Sequence, residues 1–200
     1  DRSEPLDVVL WSRRPELAAT LEADRENKQY LPFVPFTDDL RVTSDLDELV
    51  DADALLVVVP SHGYREMLRD FLRRVPAHRG PTTVISATKG IETDTLARMS
   101  QVTFEEAVAA DREVRFAVLA GPSFAAELAR GTPTVAVVGS EDAALATELR
   151  YMLSSRTCRL YSTTDVVGVE LGGTTKNVIA IAAGVVAGPE LRASFLGQRP

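Results

Sequence analysis

The segment that most restricts the fold is Ala54-Leu55-Leu56-Val57-Val58-Val59, a continuous apolar run ended by Pro60. Such a run predicts a strand covered on both faces, the habit of parallel sheets. Similar segments recur along the chain. Thr82–Ala87, Arg115–Ala120 and Thr134–Val138 are further strand candidates, with shorter ones at Leu6–Trp11, Arg41–Thr43 and Arg159–Tyr161. Helices are expected between them. One opens at Pro15, a favoured first position for proline, and runs to about Arg25. Others are expected over Asp45–Val50 with Ser44 as cap, from Ser61 as cap to Arg74, over Thr95–Ala110, from Ser123 to Arg130, and over Ser140–Leu153. Strands alternating with helices at this spacing imply an α/β fold with a Rossmann-like, doubly wound and mostly parallel sheet. Right-handed crossovers then bring the strand-end loops to one edge.

From Thr164 the pattern changes. Residues 1–163 form the expected nucleotide-binding α/β domain, and 164–200 the start of an all-α domain. The helix expected from Asp165 onward is rich in small and apolar residues. Val169, Gly173, Lys176, Ala180 and Ala183 share one side of it, since residues three or four apart are neighbours. One ammonium rises from that flat side. It either reaches water along its own stem or is held against a ligand.

Lysine is scarce: Lys28, Lys89 and Lys176 are the only three among 22 basic residues, so arginine supplies the general surface charge. A lysine here marks a position that wants a compact, tunable amine. The net charge of −7 argues against a nucleic-acid surface but leaves room for a local basic pocket that takes a small phosphorylated molecule. Cys158 is the single cysteine, and His62 and His78 the only histidines, so neither a disulfide nor a cysteine- or histidine-based metal site is expected. No apolar run approaches the ~20 residues of a bilayer span, and Asp1–Pro5 lack a signal-peptide pattern. A cytoplasmic setting is the default.

In open α/β sheets, ligands bind beyond the carboxyl ends of the strands. Four expected strand ends carry polar or small groups: Arg13-Arg14, Pro60-Ser61-His62, Thr88-Lys89-Gly90 and Gly121-Pro122-Ser123. The glycines permit close backbone approach, and the helix start after Ser123 suits an anion. The same residues have plainer roles open to them: surface charge for the arginines, helix capping for the serines. The G-x-G-x-x-G dinucleotide fingerprint is absent. The first visible strand, ending in charged residues, matches the second strand of such a fold, so the sequence starts one βα unit late.

These residues also carry a resemblance. Leu10–Arg14, Glu26–Pro32, Val58–Ser61, Ala87–Glu92, Leu119–Ala125 and Val166–Gly184 are similar, in order, to segments of the soluble bacterial NAD(P)-dependent glycerol-3-phosphate dehydrogenases. Gly-Pro-Ser-Phe-Ala together with the Lys-Asn helix is the most specific pair. The resemblance implies reduction of dihydroxyacetone phosphate to sn-glycerol 3-phosphate for phospholipid synthesis, with NADP(H) or NAD(H) as cofactor, no metal, and a homodimer in the intact enzyme. It implies Lys176 as the catalytic lysine. Lys89 touches both substrate and cofactor, Gly121 and Ser123 line the substrate site, and Arg13, Arg14, Tyr30 and Ala125 match cofactor positions.

The chemistry agrees with those roles. Hydride transfer to a ketone builds negative charge on its oxygen, which a nearby ammonium stabilises and protonates. Lysine can give up that proton, whereas arginine keeps its own. Ser12-Arg13-Arg14 offers no acid for ribose hydroxyls, and arginine there suits a 2′-phosphate. After Gly184 the sequence departs from the family's Asp-Gly pair and glycine-rich turn, and the later phosphate site is absent. A chain of this extent is expected to turn over little. Two other readings are another two-domain Rossmann dehydrogenase, of the 6-phosphogluconate-dehydrogenase-like type, and a non-catalytic truncated binding module.

Overall fold

The computed structural model describes residues 6–121 and 125–196, with 177 and 186–196 described by backbone alone. In chain order the elements are β1 (Val9–Trp11), α1 (Pro15–Asp24), β2 (Arg41–Thr43), a 3-10 turn (Leu46–Leu49), β3 (Ala54–Val57), α2 (Ser61–Arg74), β4 (Thr82–Ser86), α3 (Met99–Ala110), β5 (Val114–Ala120), α4 (Ala125–Ala129), β6 (Thr134–Gly139), α5 (Ala143–Leu153), β7 (Cys158–Thr163) and α6 (Val166–Leu196). The α/β alternation and the long final helix agree with the sequence expectation.

The sheet is more divided than expected. β1 and β2 pair in parallel as a sheet of their own, and β3-β4-β5-β6-β7 form a second one in that order. Within it β5 and β6 run antiparallel, while the other neighbours are parallel. The strand-end loops therefore do not all share one edge. The chain leaves β3, β4 and β5 in one direction and β6 and β7 in the other, although the last residues of β3, β4, β6 and β7 (Val57, Ser86, Gly139 and Thr163) lie in one row across the sheet, level with Val118.

The alternating side chains of β4 and β5 explain the core. Val84, Phe116 and Val118 point to one face, where they meet Leu68 and Phe71 of α2 and Val102 of α3. Ile85 and Ala117 point to the other and meet Leu145 and Leu149 of α5. Full burial of one such aliphatic or aromatic side chain contributes about 1.5–3 kcal/mol. On α2 the buried residues are Tyr64, Leu68, Phe71 and Leu72, a helical stripe, while Arg73 and Arg74 sit favourably in its last turn.

Several local expectations are corrected. β3 ends at Val57 and is not covered on both faces: Leu55 and Val57 join the core on the α2 side, while on the other face Leu56 and Val58 remain exposed. Ser44 does not cap; Asp45 does, accepting the Asp47 amide at 2.9 Å. Ser61 is the first residue inside α2, with Pro60 as its cap. The helix expected from Ser140 begins at Ala143, with Asp142 as its cap. The helix expected from Thr95 begins at Met99, because Leu96 adopts a left-handed φ of 58°.

Candidate active site

The loops after β3 and β4 are stitched together. The Thr88 hydroxyl donates to the Val59 carbonyl at 2.8 Å, and the Ala87 amide to the Val57 carbonyl at 2.8 Å. Gly90 adopts φ +110°, a conformation few side-chain-bearing residues take, and a Cβ there would lie 3.2 Å from the Ser61 hydroxyl. Lys89, just before it, is exposed at this edge.

Two residues beyond Gly90, the loop is clamped. Arg65 of α2 donates to both carboxylate oxygens of Glu92, each at 2.7 Å, and Thr95 adds a hydroxyl. The guanidinium holds the Glu92 carboxyl down at about 2. Arg65 also reaches Glu105 and Glu106, and Arg69 shares Glu106. The clamp keeps the stretch that carries Lys89 from swinging away from α2.

Gly121 ends β5 against its antiparallel neighbour. A Cβ there would lie 2.8 Å from the Val135 carbonyl oxygen and 2.9 Å from the Ala136 Cβ. The glycine is needed for close approach of two backbones. Ser123, paired with it in the sequence analysis, lies outside the described residues.

α6 brings Lys176 to the same edge. β7 runs opposite to β5 and ends level with Val118, and just beyond it Asp165 accepts the Gly168 amide at 2.8 Å and starts the helix. Val169 packs at Gly139, whose strand partner is Val118. One turn later Gly173 faces Ala120, where a Cβ would lie 3.5 Å from the alanine's own. From Val169 to Gly173 the helix rises about 6 Å, and Val118 to Ala120 spans about 6.6 Å of strand, so α6 climbs alongside β5. Lys176, about 4.5 Å further up on the Gly173 side, stands at the height where β5 ends in Gly121. It is half-buried. Ala180 and Ala183, expected on the same covered side, are exposed: the helix outruns the sheet.

A residue that sequence reasoning missed fixes this helix. The Glu170 carboxylate is buried and accepts the Ser100 amide at 2.7 Å, the Ser100 hydroxyl at 2.7 Å and the Arg98 guanidinium. No local signal links positions 70 residues apart.

The expected cofactor residues are less gathered. Arg13 and Arg14 are exposed after β1, on a turn where the Ser12 amide donates to the Thr43 carbonyl at 2.9 Å. Tyr30 is exposed in the loop that leaves the other end of α1, about 15 Å of helix away from where Arg14 enters it. Ala125 is exposed at the first residue of α4. The donor set fits a dinucleotide in part: two guanidiniums for phosphate or ribose, and close-approach glycines at strand ends.

Among the described residues, no helix is long and apolar enough to cross a membrane, and no group of three or more His, Cys, Asp or Glu could hold a metal ion.

A Rossmann-like sheet with close-approach glycines at its strand ends, followed by a long helix that carries a half-buried lysine, fits one class: a nicotinamide-dependent oxidoreductase fold. Sequence comparison gives the family. The family model for the NAD-dependent glycerol-3-phosphate dehydrogenase N-terminus matches residues 3–146, and that for the C-terminus of the same enzymes matches residues 165–197. The chain belongs to the NAD-dependent glycerol-3-phosphate dehydrogenase family. It is 43% identical over 196 residues to the glycerol-3-phosphate dehydrogenase [NAD(P)+] of Hydrogenovibrio crunogenus, covering 96% of this chain and 56% of that protein. It is 44% identical over 181 residues to the enzyme of the same name from Escherichia coli O1:K1, covering 90% and 52%. A crystal structure of glycerol-3-phosphate dehydrogenase from Coxiella burnetii superposes with a TM-score of 0.81 at 31% identity, covering 92% of this chain and 55% of that one. The chain thus spans about half the length of the curated relatives it matches.

Proposed function

We infer that the chain supplies the cofactor domain and catalytic lysine of an enzyme that reduces dihydroxyacetone phosphate to sn-glycerol 3-phosphate. The observation that carries this reading is the run of α6 along β5, with Lys176 rising at the level of Gly121 and across the edge from the Lys89 loop. The bound nicotinamide supplies the hydride. The chain's own groups handle what the hydride leaves behind. As the ketone oxygen gains charge, the Lys176 ammonium stabilises it and releases a proton to it. Lys89 meets the substrate phosphate as a point charge, and Gly121 lets the substrate lie close to the backbone. Ser123 completes that side of the pocket, while Tyr30 and Ala125 contact the cofactor.

Arg13 and Arg14, with Ser12 before them and no acid among the three, favour a cofactor bearing a 2′-phosphate. NADPH is accepted in this reading. The product feeds glycerophospholipid synthesis in the cytoplasm, and the intact enzyme is a homodimer. A coupled assay on the complete gene product tests the proposal: absence of NAD(P)H oxidation with dihydroxyacetone phosphate would overturn it.

A further inference from the structure

We propose that Glu170 is a positioning residue: bound to the first turn of α3, it sets the rotation of α6 and through it the placement of Lys176. The inference rests on the catalytic reading of Lys176 for its consequence in turnover, but its geometry is independent of it.

α6 meets the sheet through very little side-chain bulk. Val166 is buried at its start, Val169 lies against Gly139, and Gly173 offers only a hydrogen to Ala120. Small-residue contacts permit a helix to approach closely but give a weak grip on its rotation. Glu170 supplies that grip. It lies one residue, about 100°, around the helix from Val169, so it faces α3 while Val169, Gly173 and Lys176 face the sheet.

Its carboxylate is held by three donors from two residues at the start of α3: the Ser100 amide and hydroxyl and the Arg98 guanidinium. α3 has no acidic residue in its first turn, so Glu170 is the anion that complements that helix N-terminus. Arg98 is itself fixed, since the Gln101 side chain accepts the Arg98 amide at 3.0 Å. A carboxylate buried among directional donors resists rotation far better than apolar contact does. Lys176 follows Glu170 by six residues, so any turn of the helix about its axis moves the ammonium around the axis by the same angle. Misplacement of a catalytic group by about 1 Å can cost about a hundredfold in rate.

The scarcity of lysine makes the test direct. Reductive ¹³C-methylation of this chain gives signals from only Lys28, Lys89 and Lys176, besides the terminal amine. In Glu170→Ala the Lys176 signal is expected to shift and broaden while the other two stay. Glu170→Gln keeps an acceptor for the Ser100 amide and is expected to retain most of the wild-type signal. Arg69→Ala, which breaks an ion pair on another face, is expected to leave Lys176 unmoved. In the complete enzyme Glu170→Ala is expected to lower kcat about tenfold or more with KM for the cofactor within about twofold. If Glu170→Ala does not fold, Ser100→Ala, which removes one hydroxyl donor, must still displace the Lys176 signal. An unmoved Lys176 signal in a folded variant, or an equal displacement in Arg69→Ala, overturns the proposal. A wild-type enzyme inactive on dihydroxyacetone phosphate would instead sink the catalytic reading, and the signals would still decide the role of Glu170.

Discussion

Gly121 and Ala136 are packed so closely that a Cβ on the glycine would fall 2.9 Å from the alanine's own, with the Val135 carbonyl oxygen nearer still at 2.8 Å. Both obstacles belong to β6, which cannot retreat without breaking its pairing with β5. Gly121→Ala should therefore destabilise the chain by about 1–3 kcal/mol, the usual range for overpacking. Urea unfolding followed by circular dichroism measures it. A variant as stable as wild type would mean that the two strands part easily.

Glu92 should govern part of the acid sensitivity. Its carboxyl is held at about 2 by Arg65, below its ordinary value of 4.5. The folded state therefore prefers it charged, and that preference stabilises the fold above the unfolded value. The stabilisation fades as pH falls from about 4.5 towards 2. Glu92→Gln should cost about 1–2 kcal/mol at pH 7, with the gap to wild type closing across that window. Unfolding curves at a series of pH values check both size and sign.

Lys176→Arg separates charge from proton transfer. The guanidinium keeps the positive charge but does not give up its proton. In the complete enzyme kcat should fall by about 10²–10⁴-fold, the range of general-acid contributions. Near-normal turnover would remove Lys176 from the proton path.

Cofactor choice should respond to the first visible strand end. Replacing Arg13 and Arg14 together by serine should raise KM for NADPH about tenfold or more and leave KM for NADH nearly unchanged. Equal losses with both cofactors would mean that the arginines hold the common pyrophosphate.

Much of this was legible in the sequence, and the misses have identifiable causes. Apolar runs gave the positions of β3, β4, β5 and β6 to within a residue or two, because a buried strand must be apolar wherever it sits. They carry no sign of direction, so the reversal between β5 and β6 was invisible. A cap was misassigned where candidates crowd together, at Ser44-Asp45, and the start of α5 was placed early at Ser140-Glu141-Asp142, since each of these residues could offer an oxygen to the next turn. At the candidate site Lys89, Gly121 and Lys176 stood out as strand-end or lone-cation residues. Glu170, Arg98 and the Arg65–Glu92 clamp did not, because a charge that pairs across the fold looks in sequence like any solvated one.

The antiparallel step between β5 and β6 has one more outcome. Because β7 runs opposite to β5 and ends level with Val118, α6 must climb past the last residues of β5 before its lysine arrives, and the climb is counted in residues. Removing one residue between Val166 and Lys176 would draw the ammonium back about 1.5 Å and swing it about 100° around the axis. A substitution in that span leaves this count unchanged; an insertion or deletion does not. Beyond Lys176, where the helix has cleared the sheet, no such arithmetic applies to the lysine.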